Sequence, residues 1–86
     1  MKKRQYLERG TAYHADGKYN EAIIQLKNAL QIDPKFGPAL HALGRAYRAK
    51  SWGADALREL QRAVEIQPGN LEAHADLAQA YLDLEA

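Results

Sequence analysis

The chain of 86 residues has no cysteine, one serine, one tryptophan, one phenylalanine and three prolines. Without cysteine there is no disulfide framework and no thiolate chemistry, which fits a reducing compartment and an expected cytoplasmic location. The serine, Ser51, stands before Trp52 and Gly53 with no glycine elbow around it, so it is not placed as a nucleophile. An excess of one charge is also missing. Twelve Lys and Arg oppose eleven Asp and Glu, for a net charge of +1, and no global field draws the chain to nucleic acid or to an anionic membrane. Long apolar runs are absent too, and no segment approaches the roughly 18 apolar residues of a membrane span. Met1-Lys2-Lys3-Arg4 has the charge of a secretory leader, but Gln5, Glu8 and Arg9 stand where its apolar core belongs.

What is present is a period. Shifted by 34 residues, Gly10, Ala12, Tyr13, Ala22, Leu26, Ala29, Ile32 and Pro34 fall on Gly44, Ala46, Tyr47, Ala56, Leu60, Ala63, Ile66 and Pro68. The frame continues, because Ala39, Leu43, Ala46 and Tyr47 fall on Ala73, Leu77, Ala80 and Tyr81. A fixed period of this length belongs to arrays of stacked helix pairs, in which each unit buries its apolar face only against its neighbours.

Within each unit the apolar residues step by three and four, as in Ala22, Ile23, Leu26, Ala29 and Leu30, which lays a stripe along a helix. The pattern predicts five helices, over 3–15, 20–32, 37–49, 53–66 and 70–84, in one domain spanning 1–86. Short linkers make neighbours antiparallel. Gly17 supplies a left-handed residue after the first helix, Asn20 and Asn70 are expected as caps, and Pro34 and Pro68 mark the junctions between units. Gly10 and Gly44 lie inside helices at one phase, where each costs about 1 kcal/mol relative to Ala, so a close helix approach is expected there.

These positions carry a resemblance to the tetratricopeptide repeat, a helix-turn-helix unit. Repeat one, 3–36, supplies Tyr6, Gly10, Tyr13, Tyr19, Ala22, Leu26, Ala29 and Pro34. Repeat two, 37–70, supplies Leu40, Leu43, Gly44, Tyr47, Ala56, Leu60, Ala63 and Pro68, and a closing helix, 71–86, matches through Leu77, Ala78 and Tyr81. The resemblance implies an all-α fold of antiparallel helix pairs stacked as a short right-handed α-solenoid. Two departures stand out. Arg9 replaces a leucine, giving the first helix a solvated side, and Gly53 replaces the aromatic at the Tyr19 phase, so the second turn is expected to be rearranged with the Trp52 indole over the gap.

The family's first helices line a concave groove in which partner proteins lie as peptides or helices. That phase holds Arg4, Leu7, Glu8, Thr11 and His14, then His41, Arg45 and Arg48, then Asp76, Gln79 and Asp83. Arg45 and Arg48, three apart on one face, are the expected anchors for a carboxylate or phosphate. The competing expectation is that they pair with Glu8, Asp76 or solvent. The resemblance also argues against the acidic C-terminal peptide of heat-shock chaperones, whose clamp phases here hold Leu7, Thr11, Ala42, Glu72 and Asp76. An asparagine ladder of the kind used by sugar-transferring members is missing as well, its phase reading Glu8, Ala42 and Asp76.

No cofactor, metal or catalytic set is expected. His14, His41 and His74 fall on three helices at different phases, and His74 is expected between adjacent repeats. Tyr6, Tyr13, Tyr47 and Tyr81 are expected to pack rather than stack on bases, and the glycines are spread by the repeat instead of forming a phosphate loop. The last helix carries Leu77, Tyr81, Leu82 and Leu84 around more than one side, which predicts either a piece of a longer array or a homodimer through that helix. The sequence thus reads as a non-enzymatic scaffold that holds a peptide or helix of a partner protein. The alternatives are a self-assembly module and a substrate-recruiting segment of a larger enzyme.

Overall fold

In a computed structural model of the chain, residues 2–85 are described; Met1 and Ala86, the ends of the predicted domain, lie outside them. Five helices follow one another: α1 (Lys2–Ala15), α2 (Tyr19–Ile32), α3 (Gly37–Ala49), α4 (Gly53–Ile66) and α5 (Leu71–Glu85). Each packs on its chain neighbour, and α3 also meets α1 and α5, so α1–α2 and α3–α4 are two stacked hairpins with α5 laid against the second. The slab measures 37 × 27 × 17 Å.

The repeat positions are the core. Ala22, Leu26, Ala29, Leu40, Ala56, Leu60 and Ala63 are buried with Leu43, Ala46 and Tyr47. A leucine so enclosed contributes about 1.5–3 kcal/mol through burial. The two mid-helix glycines sit where the hairpins pinch. A Cβ on Gly10 would lie 2.7 Å from Leu26 Cγ and 3.3 Å from the Ala22 carbonyl; one on Gly44 would lie 2.6 Å from Leu60 Cγ and 3.5 Å from the Ala56 carbonyl.

The hairpin turns correct the expectation of a rearranged second turn. Gly17 has φ +77° and Ser51, its partner in the frame, has φ +61°. The residues before α2 and α4 then agree almost to the degree, Lys18 at φ −92°, ψ 72° and Trp52 at φ −91°, ψ 73°. In both, the amide bonds back to a tyrosine carbonyl at 2.9 Å, Lys18 to Tyr13 and Trp52 to Tyr47. The hydrogen bonds of the turn hold its shape, and Ser51 adopts the left-handed conformation that Gly17 takes at no steric cost.

Four other expectations are corrected. Asn20 lies inside α2 and does not cap it, because the helix begins one residue before it and its N-terminal boundary at Lys18 has no side-chain cap. The indole of Trp52 does not fill the space over Gly53. It tilts onto Tyr47 at 5.7 Å, while Leu84 reaches Gly53, where a Cβ would stand 2.5 Å from its Cδ2. Tyr81 is exposed instead of packed, its hydroxyl accepting from Gln61 Nε2 at 2.7 Å, whereas Tyr47 at the same phase is buried with Ala56 of α4. His74 is likewise exposed, and its Nε2 donates to the Pro68 carbonyl at 2.8 Å. Asn70 does cap α5, Oδ1 accepting from the Ala73 amide at 3.1 Å.

Candidate groove between the first helices

Helices α1, α3 and α5 stand side by side, and the seams between them hold three adjoining hollows. The first, about 230 Å³, has a floor of Gly10, Leu26 and Ala42 and a rim of Thr11, His14, Ala15 and Arg45. The second, also about 230 Å³, is lined by His14, Arg45, Arg48 and Ala49. The third, about 190 Å³, lies between α3 and α5 and is lined by Arg48, Ser51, Gly53, Ala80, Asp83 and Leu84. His14 and Arg45 belong to the first two and Arg48 to the last two, so the hollows form one run. The pinch that Gly10 and Gly44 allow brings each first helix close to its second, and the small residues Ala42 and Ala49 leave the seam open.

The charges in this run are distributed unevenly. At the α3–α5 seam, Asp76 accepts a hydrogen bond from His41 Nε2 at 2.6 Å, and the guanidinium groups of Arg45 and Arg48 approach its carboxylate at 3.7 and 3.8 Å as ion pairs. With the Asn70 amide nitrogen 3.4 Å from His41 Nδ1, the Nε2 proton is directed at Asp76. Arg48 Nε also donates to Asp83 at 3.0 Å, and Gln79 donates to the other oxygen of Asp83 at 3.0 Å. These two hydrogen bonds hold the Asp83 carboxyl below the usual carboxylate range. At the α1–α3 seam the pattern differs. Burial first, and the nearby Arg45 charge second, lower the His14 pKa from its ordinary value.

Of the residues expected in the groove, His14, Thr11, Arg45, Arg48 and Asp83 line the hollows, while His41 and Asp76 are drawn together beneath the α3–α5 seam. Leu7 is half-buried against the main core, Arg4 and Glu8 are exposed on α1, and Gln79 is engaged with Asp83. Gly10, Leu26, Ala42 and Ala49, with Ala15, Ser51, Gly53, Ala80 and Leu84, complete the lining without having been expected in the groove, since their repeat phases read as packing or turn. On α5, Leu77 is half-buried, and Leu71, Tyr81, Leu82 and Leu84 are exposed. Among the described residues no three of His, Cys, Asp and Glu converge to hold a metal ion, and no helix is long and apolar enough to cross a membrane.

A family model described as TPR repeat matches residues 10–51. The small glutamine-rich tetratricopeptide repeat-containing protein 2 of Mycosarcoma maydis is 35% identical over 65 residues, 76% of this chain and 18% of that protein. The superkiller complex protein 3 of Homo sapiens is 32% identical over 66 residues, 77% of this chain and 4% of that protein. The chain therefore spans only a small part of the curated relatives it matches. Among solved structures, the C-terminal TPR-containing domain of a Plasmodium falciparum protein described as FK506-binding superposes with a TM-score of 0.89 at 26% identity, over 93% of this chain and 53% of that one. The first TPR of Spaghetti (RPAP3), bound to the HSP90 peptide SRMEEVD, superposes with a TM-score of 0.94 over 98% of this chain and 67% of that one. At 23% identity, that second likeness is one of fold. The repeat frame, the two stacked hairpins and these relatives agree: the chain belongs to the tetratricopeptide-repeat family.

Proposed function

We propose that the chain is a protein-interaction scaffold whose α1–α3–α5 face receives a segment of a partner protein. The observation that carries this reading is the row of three adjoining hollows across that face, with an apolar floor at one end and guanidinium groups at its centre. Helical-repeat proteins of this kind typically act as scaffolds, and the solved Spaghetti neighbour holds a peptide. The test is nuclear magnetic resonance mapping with a peptide selected from a random library. Amide shifts confined to residues of α1, α3 and α5 around Thr11, Ala42 and Ala49 are expected. Shifts centred on the outer face of α2 and α4, near Ile24 and Arg58, would remove the proposal.

A second reading is favoured by one specific observation. Leu71 is 79% exposed, and Leu82 and Tyr81 lie bare farther along α5. Exposed apolar residues in a row on a terminal helix suit contact with a second copy. Light scattering during size-exclusion chromatography separates the two readings. The monomer mass at every loading concentration leaves the groove as the working surface, and a mass that doubles with concentration makes α5 an interface.

A further inference from the structure

The two seams of the groove obey one rule and differ in what it delivers. The links from α3 to α5 join residues 35 apart, His41 to Asp76 and Arg48 to Asp83. One repeat earlier the same offset joins Leu7 to Ala42 and His14 to Ala49. Asp83 thus supplies Arg48 with a carboxylate, while Ala49, its counterpart in the frame, supplies His14 with none. The space that the Asp83 side chain fills at one seam is at the other seam a hollow of about 230 Å³, with Arg45 beside it. The Arg45 side chain is 54% exposed, and among the described residues its one polar contact is the 3.7 Å approach to Asp76.

We infer that the α1–α3 seam takes a carboxylate from the partner, and that the groove reads the order of a segment. An aliphatic side chain sits on Gly10, Leu26 and Ala42, an Asp or Glu reaches Arg45 and His14, and a basic or uncharged residue follows past Arg48. This rests on the groove reading above. The third residue is set by Asp83, which repels a second carboxylate at the far hollow and welcomes a cation. The segment is internal to its chain, since neighbouring hollows adjoin through shared lining residues and none is an enclosed pit that would receive an end. Phosphate-rich ligands are disfavoured because Asp76 stands 3.7 Å from Arg45 and Asp83 is bonded to the neighbouring Arg48.

Binding is coupled to a proton. Arg45 and Arg48 face His14 from α3, Tyr19 meets its ring edge from α2 at 5.2 Å, and its own helix adds Thr11. Burial and Arg45 disfavour the imidazolium in the free protein, and a carboxylate alongside favours it. The partner should therefore bind more tightly as pH falls from 8 to 6.

A dodecapeptide library displayed on phage, fused at its C-terminal end so that no free carboxylate is offered, is selected against the full chain. Enriched peptides are then synthesised with both ends capped. Peptides with an aliphatic residue, then an acidic one, then a basic or uncharged one are expected. Their affinity should fall about tenfold with Arg45→Gln, as for loss of a charge-assisted hydrogen bond. It should fall comparably with Ala49→Asp, which places the carboxylate in the protein itself. His14→Gln should remove the tightening at low pH. Circular dichroism checks that each variant is folded. Peptides blocked by Thr11→Trp but indifferent to Arg45→Gln and Ala49→Asp would overturn this inference and leave the groove reading standing. Peptides indifferent to Thr11→Trp as well, or no enrichment at all, would overturn both. Binding only as the free acid would overturn the internal segment.

Discussion

Single residues in this fold are constrained by what stands opposite them, and the glycines show how differently. At Gly44 an added methyl meets Leu60, fully enclosed and unable to retreat, so Gly44→Ala should lower the melting temperature although alanine favours helix by about 1 kcal/mol. Overpacking of this kind costs about 1–3 kcal/mol, and Gly44→Val should lie at or beyond the upper end. Gly53→Ala meets Leu84 instead, which is 52% exposed near the end of α5 and can swing away, so thermal unfolding should show little change. Ser51→Gly should raise the melting temperature modestly, since the left-handed backbone at φ +61° costs a residue with a β-carbon about 1–2 kcal/mol that glycine escapes, less its greater chain entropy. For pH the sign follows from His14. Its folded pKa is lowered, so the unfolded chain takes up the proton more readily, and stability is lost as pH falls through the ordinary histidine range. Asp33 and Asp83, lowered by their hydrogen-bond donors, add a further loss below the ordinary carboxylate range. Melting curves from pH 8 to 3 should show both stages. A flat profile between pH 7 and 5 would contradict the His14 assignment.

At the scale of helices, α5 is the element held most by polar contacts. Ala73 and Ala80 are its buried residues, and Asp76, Asp83 and Tyr81 tie it to α3 and α4. Exposed ion pairs such as Arg48–Asp83 contribute little to stability, because water and salt screen them. The partly buried Asp76 is different, because its loss strips His41 of its acceptor at 2.6 Å. Asp76→Ala should cost about 1–3 kcal/mol and raise amide exchange along α5 while α1 and α2 keep their protection. Equal loss of protection in all five helices would show that α5 is not a separate unit. The helices themselves were legible in the sequence, since stripes and prolines placed every boundary within two residues. The caps were less so. Asn70 could be seen because a helix begins directly after it, while Asn20 misled because the backbone bond from Lys18 to Tyr13 had already started α2 before it. The competing expectation that Arg45 and Arg48 pair with Asp76 is met at 3.7 and 3.8 Å, but the His41 bond to Asp76 was not legible, for it joins positions 35 apart, one step outside the repeat frame.

The whole molecule is a sum of neighbour contacts, and its surface chemistry follows the chain from end to end. Lys2, Arg4 and Arg9 stand at the start, Glu72, Asp76, Asp83 and Glu85 at the finish, and the exposed leucines lie on that acidic last helix. The face was legible through the family resemblance, which implies that α1, α3 and α5 share one side of the stack. Its division into hollows was not, since the openings depend on Ala42 and Ala49, whose small size means packing in one place and room in another. The junctions between units agree as the hairpin turns do: Phe36 bonds back to the Asp33 carbonyl at 3.0 Å, and Asn70 to the Gln67 carbonyl at 3.0 Å. One turn of backbone and one joint, each used twice, amount to a single rotation and translation applied again. The molecule carries the generator of a screw, so a third unit cloned in after the second would extend the same pitch, and the curvature of any longer array is already written in the hinge between Pro34 and Gly37.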